Sequence, residues 1–222
     1  MADGEGDGEH VTRGFVRGEV DQLMRDLAAH RYLSDQLADG RFMPAGRGWA
    51  ARDEAVAVMV DTLLHSTRAG NVLEVGGGQS TVWLSLALAR RGSGTLFSVE
   101  HDLTYLRRTQ DLVNRLGDRQ VVSWCLAALE SQGTAPPWYA LDNVSLFRDV
   151  ELLFVDGPPA HVGPKSRAPA LSRLRSTLMR GATVVLDDTT RVEEREISRE
   201  WEDAGLHKTL ELGNAHVFVY DP

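Results

Sequence analysis

The run Asn71-Val72-Leu73-Glu74-Val75, followed by Gly76-Gly77-Gly78 and then Gln79-Ser80-Thr81, constrains the fold more than any other part of the chain. An apolar strand that breaks into glycines and restarts as a helix requires a turn that presents bare backbone, because glycine has no Cβ and accepts positive φ. The helix expected from about Ser80 to Arg91 aims unpaired N–H groups and a partial positive charge at that turn. Such a site suits a nucleotide-like cofactor, and one carboxylate, Glu74, stands two residues before the first glycine.

From Val72 onward, apolar runs alternate with helical patterns, the signature of a parallel sheet covered on both faces. Strands are expected at 71–75, 94–99, 120–126, 150–155 and 182–187, with helices near 80–91, 103–116, 168–180 and 190–203. The pair Gly213-Asn214 then joins two further strands, His207 to Leu212 and Ala215 to Tyr220, as antiparallel neighbours. Upstream, residues 1–14 read as a disordered acidic tail. Residues 15–70 read as a helical cap with helices at 16–37 and 51–65 separated by a Gly- and Pro-containing break, and 71–222 form the cofactor-binding domain. The helix at 16–37 is a candidate dimer contact or active-site cover.

At 222 residues the chain suits one well-buried core. A formal net charge of -8 with no Lys/Arg cluster argues against nucleic acid, whose binding relies on neutralising many phosphates. The one cysteine, Cys125, reads as a small buried thiol and excludes internal disulfides, in keeping with a cytoplasmic protein. The acidic N-terminus lacks the basic and apolar regions of a secretion signal, and no apolar run reaches membrane-spanning length, so a membrane partner is not expected.

A nicotinamide-type turn wants a further glycine three positions after Gly78, where this chain has Thr81. The pattern Glu74-x-Gly76-x-Gly78-x-Ser80 instead resembles the first motif of class I S-adenosylmethionine-dependent methyltransferases. The runs 152–159 (LLFVDGPP), 167–171 (RAPAL) and 181–188 (GATVVLDD) resemble the small-molecule branch grouped as methyltransferase family 24. The likeness spans about Trp49 to the C-terminus. It implies an α/β, Rossmann-like fold: a central, mostly parallel seven-stranded sheet with a C-terminal antiparallel hairpin and helices on both faces. It also implies a catalytic domain that transfers a methyl group from S-adenosylmethionine to a small molecule, as an O-methyltransferase of secondary metabolism. An NAD(P)-dependent oxidoreductase and an S-adenosylmethionine-binding module without catalysis are the alternatives.

The resemblance places the cofactor on Glu74, Gly76, Gly77, Gly78, Ser80 and Thr81, with Glu74 orienting either the backbone turn or the methionine ammonium, Glu100 and His101 toward the ribose and adenosine, Ala127 and Ala128 flanking adenine, and Asp156 nearby. His161, behind the rigid Gly157-Pro158-Pro159 turn, is the candidate general base, with Asp156 as the second catalytic residue. Asp156, Asp187 and Asp188 form a possible hard-oxygen set for Mg²⁺. The alternative reading gives them cofactor-side, helix-capping and solvated roles. Metal-dependent relatives usually have Asn at the position of Asp188 and a lysine at the position of Pro159. Trp49, Trp138 and Tyr139, expected in loops, are candidates for an aromatic wall around the acceptor, whereas Trp83 and Trp201 read as core. Lys165 and Arg167 read as helix-flanking charges or as contacts for an acidic or phosphate-bearing substrate, and Arg191 as a structural partner of the acidic cluster.

Overall fold

The computed structural model describes residues 6–222 apart from 47, 49, 132, 134, 135 and 142, with side chains described from residue 18 onward. In chain order the elements begin with α1 (Gly6–Leu37), α2 (Asp53–His65), β1 (Asn71–Val75), α3 (Gln79–Arg91), β2 (Leu96–Glu100), α4 (Leu103–Leu116) and β3 (Val122–Leu126). There follow β4 (Leu129–Glu130), β5 (Trp138–Tyr139), β6 (Val150–Val155), α5 (Pro169–Leu174), β7 (Leu178–Asp187), α6 (Val192–Asp203), β8 (Leu206–Glu211) and β9 (Ala215–Tyr220).

Seven strands form one sheet in the order β3-β2-β1-β6-β7-β9-β8, parallel except where β9 pairs antiparallel with both β7 and β8. Alternation along each strand assigns side chains to two separate cores. Val72, Leu152, Phe154 and Val185 face a layer containing Met59, Leu63, Trp83 and Leu88 from α2 and α3. Leu73, Leu153, Val155 and Val184 face the other layer, which contains Leu171, Leu174, Ile197 and Trp201 from α5 and α6. All six residues of β6, the central strand, are buried, which explains its unbroken apolar run around Glu151. Glu151 itself pairs with the buried Arg91 and accepts the Ser66 hydroxyl.

The register aligns the strand ends that matter. Val75 is opposite both Val99 and Val155, and Val155 is opposite Leu186. The next residue on each strand therefore falls in one row: Glu100, Gly76, Asp156 and Asp187. Asp187 in turn faces Ala215, which brings the turn residue Asn214 to the end of the row.

The structure departs from the sequence expectation in several places. Helix α1 starts at Gly6, inside the stretch expected to be a disordered tail. Helix 168–180 shrinks to α5, because the chain passes into a 3-10 turn at Arg175–Thr177 and then into the long strand β7. Trp138 and Tyr139, expected in a loop, form β5, which pairs antiparallel with β4. Cys125 is half-buried, since β3 lies at the sheet edge. On α1, Val20, Leu23, Met24 and Leu27 are exposed at helical spacing. No helix among the described residues is long and apolar enough to cross a membrane.

Candidate active site

At the row of strand ends lies an open cleft of ≈ 590 Å³. Its floor holds Gly76, Gly77, Glu100, Asp156, Gly157 and Asp187; its far end holds Asp188, Arg191 and Asn214; and Gly48, Ala50 and Arg52 approach from the segment before α2. This volume lies within the range of roughly 300–1,000 Å³ usual for small-molecule sites.

The glycine turn is built from behind by Glu74. Fully buried, its carboxylate accepts Ser80 Oγ at 2.6 Å on one oxygen, and Thr81 Oγ1 at 2.6 Å and Ser98 Oγ at 3.1 Å on the other. Thr81 Oγ1 also accepts the Gly78 N–H at 2.9 Å, which ties the turn to the first turn of α3. Burial pushes the Glu74 carboxyl up to about 7, opposed by the three hydroxyls, which favour the charged form. Glu74, Ser80 and Thr81 thus sit beneath the turn and do not line the cleft. Their hydrogen bonds hold the backbone that faces the cleft.

Two glycines are required for packing. Gly76 has φ +89°, and a Cβ there would lie 2.7 Å from the Gly157 nitrogen. That nitrogen and the one of Asp156 both donate to the Val75 carbonyl, at 2.8 and 2.9 Å, so neither strand end can retreat. At Gly77 a Cβ would come within 2.6 Å of Ser98 Oγ, one of the hydroxyls that hold Glu74. Both keep backbone on the cleft surface; Gly78 does not line it.

Toward β2, Glu100 Oε1 accepts the backbone N–H groups of His101 and Asp102 at 2.6 and 2.9 Å. Its other oxygen has no hydrogen-bond partner among the described residues. Asp102 caps α4 by accepting the Tyr105 N–H at 2.9 Å, and the Tyr105 side chain joins the cleft wall. Tyr139 is buried, lines the cleft and meets the His101 ring edge-on at 6.0 Å between centroids. Its hydroxyl has no partner among the described residues. Burial, followed by the negative charges of Glu100 and Asp156, raises the Tyr139 phenol well above its ordinary value, so the group remains a donor.

Trp138 meets the Tyr139 ring edge-on at 5.2 Å between centroids, and both are buried in the cluster that also holds residues of α5 and α6. Trp138 does not line the cleft, and Trp49 lies outside the described residues. Trp83 and Trp201 are core residues as expected. Ala127 is buried and Ala128 exposed, and neither lines the cleft. His161, on the 3-10 turn Ala160–Val162, is exposed at the cleft margin.

The far end is acidic, with one buried cation. Arg167 is 2% exposed. Its Nη1 donates to the Asp187 carbonyl at 3.0 Å, and its Nη2 reaches Asp156 Oδ1 at 3.2 Å and Asp188 Oδ2 at 2.8 Å. Arg191 approaches Asp188 Oδ2 at 2.9 Å, and Asn214 Nδ2 donates to Asp187 Oδ1 at 3.2 Å and Asp188 Oδ1 at 3.4 Å. Asp188 adopts φ +62°, a left-handed conformation that Asp tolerates better than most residues and that these partners hold in place. Burial and the neighbouring Asp187 charge raise Asp156 well above the carboxylate range; burial and Asp188 raise Asp187. Lys165 points away, to Glu196 and Glu200 on α6.

Several lining residues gave no usable signal in the sequence. Tyr105 and Arg52 lack any motif. Asn214 reads only as a hairpin residue, and Arg167 as a helix-flanking charge, because its burial depends on where β6 and β7 end.

A sheet of this order, with a glycine turn after its first strand and an acidic residue ending its second, is the architecture of class I S-adenosylmethionine-dependent methyltransferases. Solved structures share it. Precorrin-6y C5,15-methyltransferase from Geobacter metallireducens superposes with a TM-score of 0.57 at 14% identity, covering 83% of this chain and 96% of that one. The O-methyltransferase TomG from Streptomyces achromogenes, involved in tomaymycin synthesis and solved with S-adenosylmethionine, gives 0.55 at 16% identity, covering 89% and 90%. Fibrillarin from Aeropyrum pernix, with natively bound S-adenosylmethionine, gives 0.52 at 17% identity over 85% and 86%. No curated protein sequence matches the chain. The model of methyltransferase family 24, described as a methyltransferase domain, matches residues 73–189, and the chain belongs to this family.

The cleft fits the family's cofactor. The unpartnered Tyr139 hydroxyl and the Glu100 carboxylate supply a donor and an acceptor in the same cleft as bare backbone at Gly76 and Gly77. Mg²⁺ fits poorly. One ligand atom from each of Asp156, Asp187 and Asp188 lies within 4.8 Å of the others, but both Asp188 oxygens and one oxygen each of Asp156 and Asp187 already serve Arg167, Arg191 or Asn214.

Proposed function

We propose that the protein transfers the methyl group of S-adenosylmethionine to a hydroxyl of a small molecule, in the manner of O-methyltransferases of secondary metabolism. The observation that carries this reading is the row Glu100, Gly76, Asp156 and Asp187 along one cleft. Glu100 and Tyr139 bind the ribose and adenosine side, backbone at Gly76 and Gly77 faces the amino-acid side, and the acceptor lies toward Asp156, His161 and Asp187. Bound S-adenosylmethionine supplies a methyl group activated by the adjoining sulfonium.

The chain's own residues have three tasks. They align the acceptor oxygen in line with the methyl–sulfur bond, and the cleft walls exclude part of the water. His161 accepts the hydroxyl proton as the oxygen gains the methyl group, and its position at the margin lets that proton pass to solvent. Asp156 orients the acceptor from the floor, its own position held by Arg167. The net charge of -8 and the acidic cleft favour a small acceptor over nucleic acid.

Titration calorimetry with S-adenosylhomocysteine tests the reading, with NADH as control. Saturable binding of S-adenosylhomocysteine alone supports it, and NADH binding alone overturns it in favour of an oxidoreductase. Binding without methyl transfer to any member of a hydroxylated-acceptor panel would identify a binding module.

A further inference from the structure

We infer that the acidic end of the cleft carries its own fixed cation, the Arg167 guanidinium, in the place a divalent ion would take, so that the site works without metal. The inference concerns the same cleft and rests on the methyltransferase reading only for its relevance to catalysis. Its structural basis is independent.

Three aspartates on two strand ends, with ligand atoms within 4.8 Å of one another, repel one another unless protons or a cation offset their charge. Arg167 supplies it from the segment leading into α5, bridging Asp156 on one strand end and Asp188 on the other through a single Nη2. It is anchored by more than charge. Nη1 donates to the Asp187 carbonyl and Nε reaches the Pro158 carbonyl at 3.5 Å, so removing the side chain from the cluster would strand acceptors in a buried place. At 2% exposure it has no solvent into which to swing. Arg191 and Asn214 close the remaining approach to Asp188. Two positive side chains thus face the three aspartates, and a divalent ion placed among them would meet both guanidinium groups at short range.

Arginine suits this task because its planar fork donates to several oxygens at once and does not release its proton. Arg167 is in these terms a positioning residue: it fixes Asp156 on the cleft floor.

The test is Mn²⁺ binding, followed by electron paramagnetic resonance and by calorimetry, for the wild-type protein, Arg167→Met, and Arg167→Met combined with Asp187→Asn. The wild type should bind Mn²⁺ no better than exposed surface carboxylates do. Arg167→Met should uncover the aspartates and bind one Mn²⁺ at least ~10-fold more tightly, and the added Asp187→Asn should abolish the gain. Stoichiometric Mn²⁺ binding by the wild type that Asp187→Asn removes would overturn the inference, as would an Arg167→Met protein that folds yet gains no affinity. If Arg167→Met does not fold, the wild-type titration and its Asp187→Asn control decide alone. S-adenosylhomocysteine binding by the same wild-type sample separates this outcome from failure of the methyltransferase reading, since the two ligands are read independently.

Discussion

Thr81 Oγ1 donates to Glu74 Oε2 at 2.6 Å across the turn that joins β1 to α3, and accepts the Gly78 N–H at 2.9 Å from the same position. The turn that faces the cofactor side is thereby hung from one buried carboxylate. Glu74 has a folded-state pKa of about 7 against 4.5 in the open chain, so the folded protein holds the proton more tightly. Its contribution to stability is complete below the unfolded value and is lost as pH rises through about 7. The shift corresponds to about 3 kcal/mol between the two limits. Glu74→Gln should therefore be relatively more stable than wild type as pH rises from 4 to 8, as read from urea midpoints. A difference that stays constant across that range would contradict the assignment.

Gly76→Ala should act on folding before it acts on binding. A Cβ at φ +89° and 2.7 Å from the Gly157 nitrogen meets backbone that is itself hydrogen-bonded to Val75. Left-handed strain and overlap together predict a loss of about 2–4 kcal/mol in denaturant unfolding without ligand. If the variant is as stable as wild type, the close approach of β1 and β6 is wrong.

Adjacent Trp138 and Tyr139 should respond oppositely. Trp138→Ala removes a core side chain and should destabilise by about 3–5 kcal/mol. Tyr139→Phe deletes a buried hydroxyl with no protein partner, so stability should hold or rise, while S-adenosylhomocysteine affinity falls about 5–10-fold. Thermal melts and calorimetry on both variants check the contrast. Equal effects on binding would place both rings on the cleft.

His161→Gln should leave S-adenosylhomocysteine affinity unchanged and lower kcat by about 10²-fold or more. Activity retained at neutral pH would assign proton removal to another group.

The residues themselves were enough to reveal the alternation of strands and helices, the glycine turn, the C-terminal hairpin and the acids that end successive strands. Those features arise from local chemistry: apolar runs that must be buried, glycines that permit a turn, and polar residues that end a strand. Which of the named residues reach the cleft was not legible, because that depends on register and on which way each side chain leaves its strand. Glu74 lies beneath the turn because β1 directs its side chain between Ser80, Thr81 and Ser98, the last brought in by β2. Trp138 and Tyr139 are adjacent on a two-residue strand and both are buried, yet only Tyr139 lines the cleft. Arg167 reads as an ordinary charge near a short helix. Only the convergence of β6 and β7, far apart in the chain, encloses it among three aspartates and makes it the cation of the site.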